Sequence, residues 1–466
     1  MKLTDVKDKR VRTQIKRQRQ FQSVVKKQLS AYDLINPMVE KGEIEFEEDE
    51  QQDVKLTQDQ LKKSIDVGTA KKLFNFRLKG GPYMMVPTRN GKHVVIGGKG
   101  GQLSVFDRTT MFPICDFTVD ENVLDVSFLH NYTMFAAAQR KHTYIYDSIS
   151  GAEIHCLKDQ ARVTHLDFLP YHFLLASWSE TGIMRYLDTS TGQQVARHFS
   201  KMGPCHSFRQ NMATALVNVG HSDGCVSLWT PSQAEPVMKI RAHYGAVSAL
   251  GCHDQTTLIT GGGDHKWKIW DLRKASQPVV AHSYKGAPPS SIDVSQSGMI
   301  AVGNGVRINV FSQDTLKSGS HKSYLSHHIP DGINSLRFCP FEDILLLGEG
   351  SGIGTMLVPG SGSGDVDTFT NNPFETRSQR RETEVRSLIE KLRPDMISLP
   401  FIVETIGTLA TPEREEDSKP QKKVLGKKQL KRRSVNDTAV RVEETKLERL
   451  GKVASDGKYD ALTRFR

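Results

Sequence analysis

The 466 residues are too many for one small core and allow one large domain with additions, or two to three domains. Hydrophobic residues at 37% and aromatics at 8% let much of the chain fold, while a mean hydropathy of -0.43 leaves room for solvated segments. Lys and Arg number 63 against 53 Asp and Glu, and the resulting +10 favours an acidic partner such as nucleic acid; six cysteines with no CxxC pair argue against zinc and a disulfide framework, and no apolar run reaches the roughly 18 residues of a membrane span.

The opening MKLTDVKDKR lacks the apolar core of a signal peptide, which predicts a soluble protein with reduced thiols. Residues 8–28, DKRVRTQIKRQRQFQSVVKKQ, contain no Gly or Pro and tolerate a helix. Residues 1–27 hold ten Lys/Arg against two Asp, a net of +8, with Lys9, Arg10, Arg12, Lys16, Arg17, Arg19, Lys26 and Lys27 as candidate RNA or nuclear-import contacts. An acidic run, EIEFEEDEQQD, follows at 43–53. Residues 1–73 therefore read as a charged extension, helical or disordered.

The middle of the chain repeats. Strand-like runs end in an aromatic or apolar residue followed by Asp or a small polar residue: LSVFD (103–107), TYIYD (143–147), MRYLD (184–188), VSLWT (226–230), WKIWD (267–271), RINVFS (307–312) and TMLVP (355–359). The first five end at 107, 147, 188, 230 and 271, so they lie 40, 41, 42 and 41 residues apart. That period, with two apolar runs and a Gly/Asp/Asn turn before each ending, marks four-stranded propeller blades. Seven periods fit between residues 74 and 359, which predicts an all-β, seven-bladed WD-repeat propeller; the first, fourth and sixth periods are the least regular and leave six or eight open.

The fifth period carries His243, Thr260, Asp264 and Trp270. Thr, His and Asp together suggest a charge-relay triad, but the spacing is that of the WD-repeat tetrad, a buried network that ties strands together. GEGSGIG (348–354) lacks the Lys-Ser/Thr and following helix of a phosphate loop, so it reads as a blade turn, as does GGKGG (97–101). The adjacent His327 and His328 on an extended segment point to opposite faces and make a poor metal site. No catalytic set, metal ligand set or cofactor motif stands out.

After a GSGSGD loop, a helix is expected near 375–392. Val385, Leu388, Ile389 and Leu392 fall at i, i+3, i+4 and i+7, a face expected to dock on the propeller or on a partner. Residues 408–466 read as a basic disordered tail. Its 419–433 run has eight cations in fifteen residues and no acid: Lys419, Lys422, Lys423, Lys427, Lys428, Lys431, Arg432 and Arg433. That run fits a nuclear-import signal, an RNA phosphate contact or a solvated tail.

FCPFED (338–343), LVPGSG (357–362), NPFET (372–376) and QRRETEVRSLIEKLRPDMI (379–397) make residues 327–407 resemble the C-terminal domain of the BING-type WD-repeat proteins of the small-subunit processome, although SLPFIVETIG (398–407) departs from the pattern. The resemblance implies a non-catalytic scaffold in the nucleus and nucleolus, needed for pre-rRNA processing and 18S rRNA maturation. It implies as partners other processome proteins, WD-repeat proteins among them, and U-three small nucleolar RNA and pre-rRNA, directly or through proteins, with no cofactor, membrane or small-molecule substrate. The alternative is a generic nuclear WD-repeat adaptor, for chromatin or a ubiquitin ligase, that needs no RNA.

Overall fold

The computed structural model describes residues 9–35, 42, 44, 56–65, 67–284, 286–312, 323–364 and 371–399. The tail at 408–466 with its 419–433 run, most of the acidic run and residues 401–407 lie outside the described residues.

Among the described residues, twenty-eight strands form seven antiparallel four-stranded sheets. The blades in chain order are β2–β5 (Tyr83–Pro87, His93–Gly98, Gln102–Asp107, Phe112–Thr118), β6–β9 (Val123–Phe128, Met134–Gln139, His142–Asp147, Glu153–Ala161) and β10–β13 (Val163–Leu169, Leu174–Ser179, Ile183–Asp188, Gln194–Phe199). Then come β14–β17 (Cys205–Gln210, Val217–His221, Cys225–Trp229, Met238–Arg241), β18–β21 (Val247–Cys252, Thr257–Gly262, Lys266–Asp271, Val280–Ser283) and β22–β25 (Pro289–Val294, Ile300–Asn304, Arg307–Phe311, Leu325–His328). The last blade takes β26, β27 and β28 (Ile333–Phe338, Ile344–Glu349, Gly352–Leu357) from the end of the array and β1 (Asn75–Arg77) from its start. Contacts between the first strands of successive blades run round the ring and return from β26 to β2, so this is a seven-bladed propeller.

The runs that set the sequence period are the third strands, not the last. A fourth, solvent-facing strand follows each of the first six, and its exposed residues carry little apolar signal; β13, QVARHF, has one buried residue in six. Closure comes from β1, which pairs with β28 as Asn75↔Gly354, Phe76↔Ile353 and Arg77↔Gly352 and covers its edge.

The second strands are almost wholly buried, the third strands partly so, and the core lies between blades. Trp178 and Trp229 meet edge to face at 6.5 Å, both fully buried. Each such side chain contributes roughly 1.5–3 kcal/mol or more on burial. Carboxylates fix the first strands to one another. Asp125 Oδ2 accepts from the Leu166 N–H of the next blade at 2.9 Å, Asp167 Oδ2 from Gln210 at 2.9 Å, and Asp293 Oδ2 from Phe338 at 2.7 Å.

The helices are α1 (Lys9–Ile35), α2 (Gln58–Ser64), α3 (Val67–Ala70) and α4 (Arg377–Ile389). α2 sits on the last blade. Its Gln58 amide exchanges two bonds with the Leu357 backbone, at 3.1 and 2.9 Å, and Leu61 is buried in the core cluster of the sixth and last blades. Part of the 1–73 segment thus packs on the ring.

Candidate interaction surfaces

The structure brings His243, Thr260, Asp264 and Trp270 together. His243 leaves β17 in the loop to β18, and Asp264 sits in the β19–β20 turn. His243 Nδ1 donates to Asp264 Oδ1 at 2.9 Å, and the Thr260 hydroxyl lies 2.8 Å from His243 Nε2 while accepting from Trp270 Nε1 at 3.0 Å. Burial lowers the His243 pKa against the opposing pull of Asp264, which favours the neutral ring this chain of donors needs. Gly262 must be glycine, since a Cβ there would stand 2.4 Å from His243 Cγ. Thr260 is fully buried, and its hydroxyl faces the His243 and Trp270 side chains.

A second network in the fourth blade escaped sequence reasoning. His221 Nε2 lies 2.6 Å from Ser227 Oγ, which also accepts from Trp229 Nε1 at 2.8 Å. Here histidine and hydroxyl sit on neighbouring strands, whereas in the tetrad the histidine is in a loop and the hydroxyl on β19; the signal was the spacing His-x5-Ser-x-Trp. Burial pushes the His221 pKa down to about 4.

The first strands line a channel whose mouth is charged. Arg209 pairs with Asp293, and Arg337 Nη1 lies 3.7 Å from the same carboxylate. Burial pushes the Asp167 carboxyl up to about 6 against the pull of Arg209. A cavity of about 630 Å³ opens there, lined by these groups and by Glu375, Arg380, Thr383 and Glu384 of the C-terminal segment.

That segment straps the ring across the β6–β7, β10–β11 and β12–β13 connections, the face opposite His243 and Asp264. Thr376 and Gln379 cap α4 reciprocally, with Thr376 N–H donating to Gln379 Oε1 at 3.0 Å. Arg380 donates to the Tyr132 hydroxyl at 2.8 Å and lies 4.9 Å over its ring. Glu384 meets His130 at 3.1 Å, Lys391 pairs with Asp188, and the Leu392 N–H donates to Tyr171 O at 3.0 Å. Ile397 and Leu399 then enter the large core cluster of the third to fifth blades, 3% and 1% exposed. Of the two expected places for the apolar face of α4, the propeller or a partner, the propeller is not the one: Val385, Leu388, Ile389 and Leu392 are 57%, 44%, 79% and 41% exposed, and the ring contacts come from the polar face.

Of the basic residues singled out in the sequence, Arg10, Arg12, Lys16, Arg17 and Arg19 are exposed on α1. Lys9, Lys26 and Lys27 lie on the same helix, and the 419–433 cations lie outside the described residues. His327 and His328 are on β25, and the two glycine-rich runs are the β27–β28 and β3–β4 turns with flanking strand residues.

Two families match. The BING4CT (NUC141) domain covers residues 323–400, from the outer strand of the sixth blade to the Leu399 anchor. The WD domain, G-beta repeat, covers 234–271, the stretch that holds the tetrad. Among curated relatives, WD repeat-containing protein 46 of Caenorhabditis elegans is 40% identical over 76% of this chain and 60% of its own length. The Homo sapiens protein of that name is 38% identical over 76% of this chain and 58% of its own. U3 small nucleolar RNA-associated protein 7 of Saccharomyces cerevisiae is 35% identical over 85% of this chain and 74% of its own. The chain thus spans under two thirds of the length of the two animal relatives.

Proposed function

Because this chain belongs to the family of WD-repeat proteins that carry the BING4CT (NUC141) domain, we propose that it is a non-catalytic scaffold of the nucleolar small-subunit processome, needed for pre-rRNA processing and 18S rRNA maturation. The observation that carries this reading is the similarity, over 85% of the chain, to a yeast protein named for its association with U3 small nucleolar RNA. The physical features agree. A ring tied by buried networks offers rigid faces for other processome proteins, WD-repeat proteins among them. The exposed Arg10, Arg12, Lys16, Arg17 and Arg19 set cations around α1 that suit phosphates, and the 419–433 run supplies a second RNA contact or a nuclear-import signal. The tetrad serves the ring and not a reaction.

The test is purification of the tagged full chain from cells at moderate salt, with sequencing of the RNA that accompanies it. Enrichment of U3 RNA and unprocessed small-subunit precursor is expected. RNA no richer than with the tag alone would overturn the reading in favour of an RNA-free adaptor.

A further inference from the structure

We propose that the outward face of α4 is a docking site for an amphipathic helix of another protein of the assembly, one with an apolar stripe and acidic residues at one end. The inference deepens the scaffold reading and rests on it.

An amphipathic helix lying on a protein ordinarily turns its apolar stripe inward. α4 does the reverse. Arg380, Glu384 and Lys391 bind the ring, and α4 buries no residue of its own. Val385, Leu388 and Ile389, continued by Leu392, form an exposed stripe on a helix held rigidly at both ends. Its capping box and the buried Ile397 and Leu399 fix its position, so a partner would meet a preorganised surface.

Charge selects the occupant. At 100° per residue, Arg377 and Arg381 fall on the same side as the stripe, one to two turns before it, and among the described residues neither has an ion-pair partner. A second copy of this chain fits badly. Paired parallel, Arg377 and Arg381 meet their own counterparts; paired antiparallel with stripe on stripe, Val385 lies over Leu392 and Arg381 falls past the helix end near position 396, where the chain turns into the ring at Ile397. RNA would satisfy the arginines but leave the stripe in water. A helix with apolar residues at i, i+3, i+4 and i+7 and Asp or Glu beyond one end matches both halves.

The experiment places a photoreactive amino acid at position 389 of the tagged full chain. Particles are irradiated after purification from cells, and crosslinked peptides are read by mass spectrometry, with U3 RNA measured in the same sample. The expected result is a crosslink to one segment of another protein with that apolar spacing and an acidic end. It should fall at least tenfold when Leu388→Glu and Arg381→Glu are introduced, each alone, while the melting temperature of the ring holds. Crosslinks to RNA, to this chain or to a segment lacking that pattern, or no crosslink at all, overturn the inference. Loss of U3 RNA from particles that still give the patterned crosslink would fault the processome reading instead.

Discussion

Thr260→Val tests whether the tetrad ties the fifth blade together. Valine matches threonine in shape, so packing is kept and only the hydroxyl is lost. That hydroxyl serves two buried partners, accepting from Trp270 Nε1 at 3.0 Å and facing His243 Nε2 at 2.8 Å. Leaving one buried polar group without a partner costs about 1–3 kcal/mol. Two such groups, one on a ring that can shift slightly, put the loss at about 2–4 kcal/mol. At about 2–4 °C per kcal/mol for a domain near this size, the melting temperature should fall by roughly 4–16 °C. The assay is thermal and urea unfolding of the purified chain. Adding Trp270→Phe, which removes the orphaned indole N–H, should cost less than the sum of the two single changes, because both act on one network. A Thr260→Val protein melting within 1–2 °C of the parent, or strict additivity in the double variant, would refute the network as a tie.

Four other outcomes follow from the same structure. His221, at about 4 against 6.5 when unfolded, is neutral in both states above pH 6.5, so stability is lost as pH falls from 6.5 toward 4, by up to about 3 kcal/mol. Asp167, raised to about 6, acts in the opposite direction over an overlapping range, so the contribution of His221 is read as the difference in pH slope between the parent and His221→Gln in urea unfolding. Leu399→Ala should loosen the strap by about 2–4 kcal/mol, seen as faster trypsin cleavage after arginines of 377–393 with little change in ring melting. Arg17→Ala should weaken RNA binding similarly for all sequences and lower the salt slope by about one, measured by anisotropy across a salt series. Removing residues 1–78 takes away β1 and uncovers β28, so that protein should self-associate in light scattering, whereas removal of 1–55 should leave the ring monodisperse.

The period was readable because each third strand ends in a large apolar residue next to a turn former, as in WKIWD, where Trp267, Ile269 and Trp270 are buried. The fourth strands were not, since exposure removes the constraint: in β17, MKIR, only Ile240 is buried. The WD domain match covers the one blade with the full tetrad, whereas His221 and Ser227 reach a similar end from other positions. The α4 sequence gave away its two faces but not which of them meets the ring, because that choice is made by Tyr132, His130 and Asp188, some 200 to 250 positions earlier in the chain. Ile397 and Leu399 lie at i and i+2 in an extended stretch, too short a pattern to mark an anchor before the core it enters is known.

The inverted orientation of α4 has a cause in the ring itself. Asp125, Asp167 and Asp293 hold the first strands in register by accepting backbone N–H groups from the next blade. Arg209 and Arg337 offset the charge of Asp293. These residues make the channel mouth polar. An apolar stripe laid over it would offer the charged groups there no hydrogen bonds, at several kcal/mol per group left unpaired. A helix crossing that mouth must therefore present polar side chains to it, as Arg380, Thr383, Glu384 and Ser387 do around the cavity. Once those positions are taken, the i, i+3, i+4 stripe of a 13-residue helix has no place but the outer flank. The carboxylates that tie the first strands together thus act with Tyr132, His130 and Asp188 in turning the polar face of the strap to the ring, and replacing Glu384 and Arg380 by leucine would be expected to weaken the strap rather than seat it more firmly.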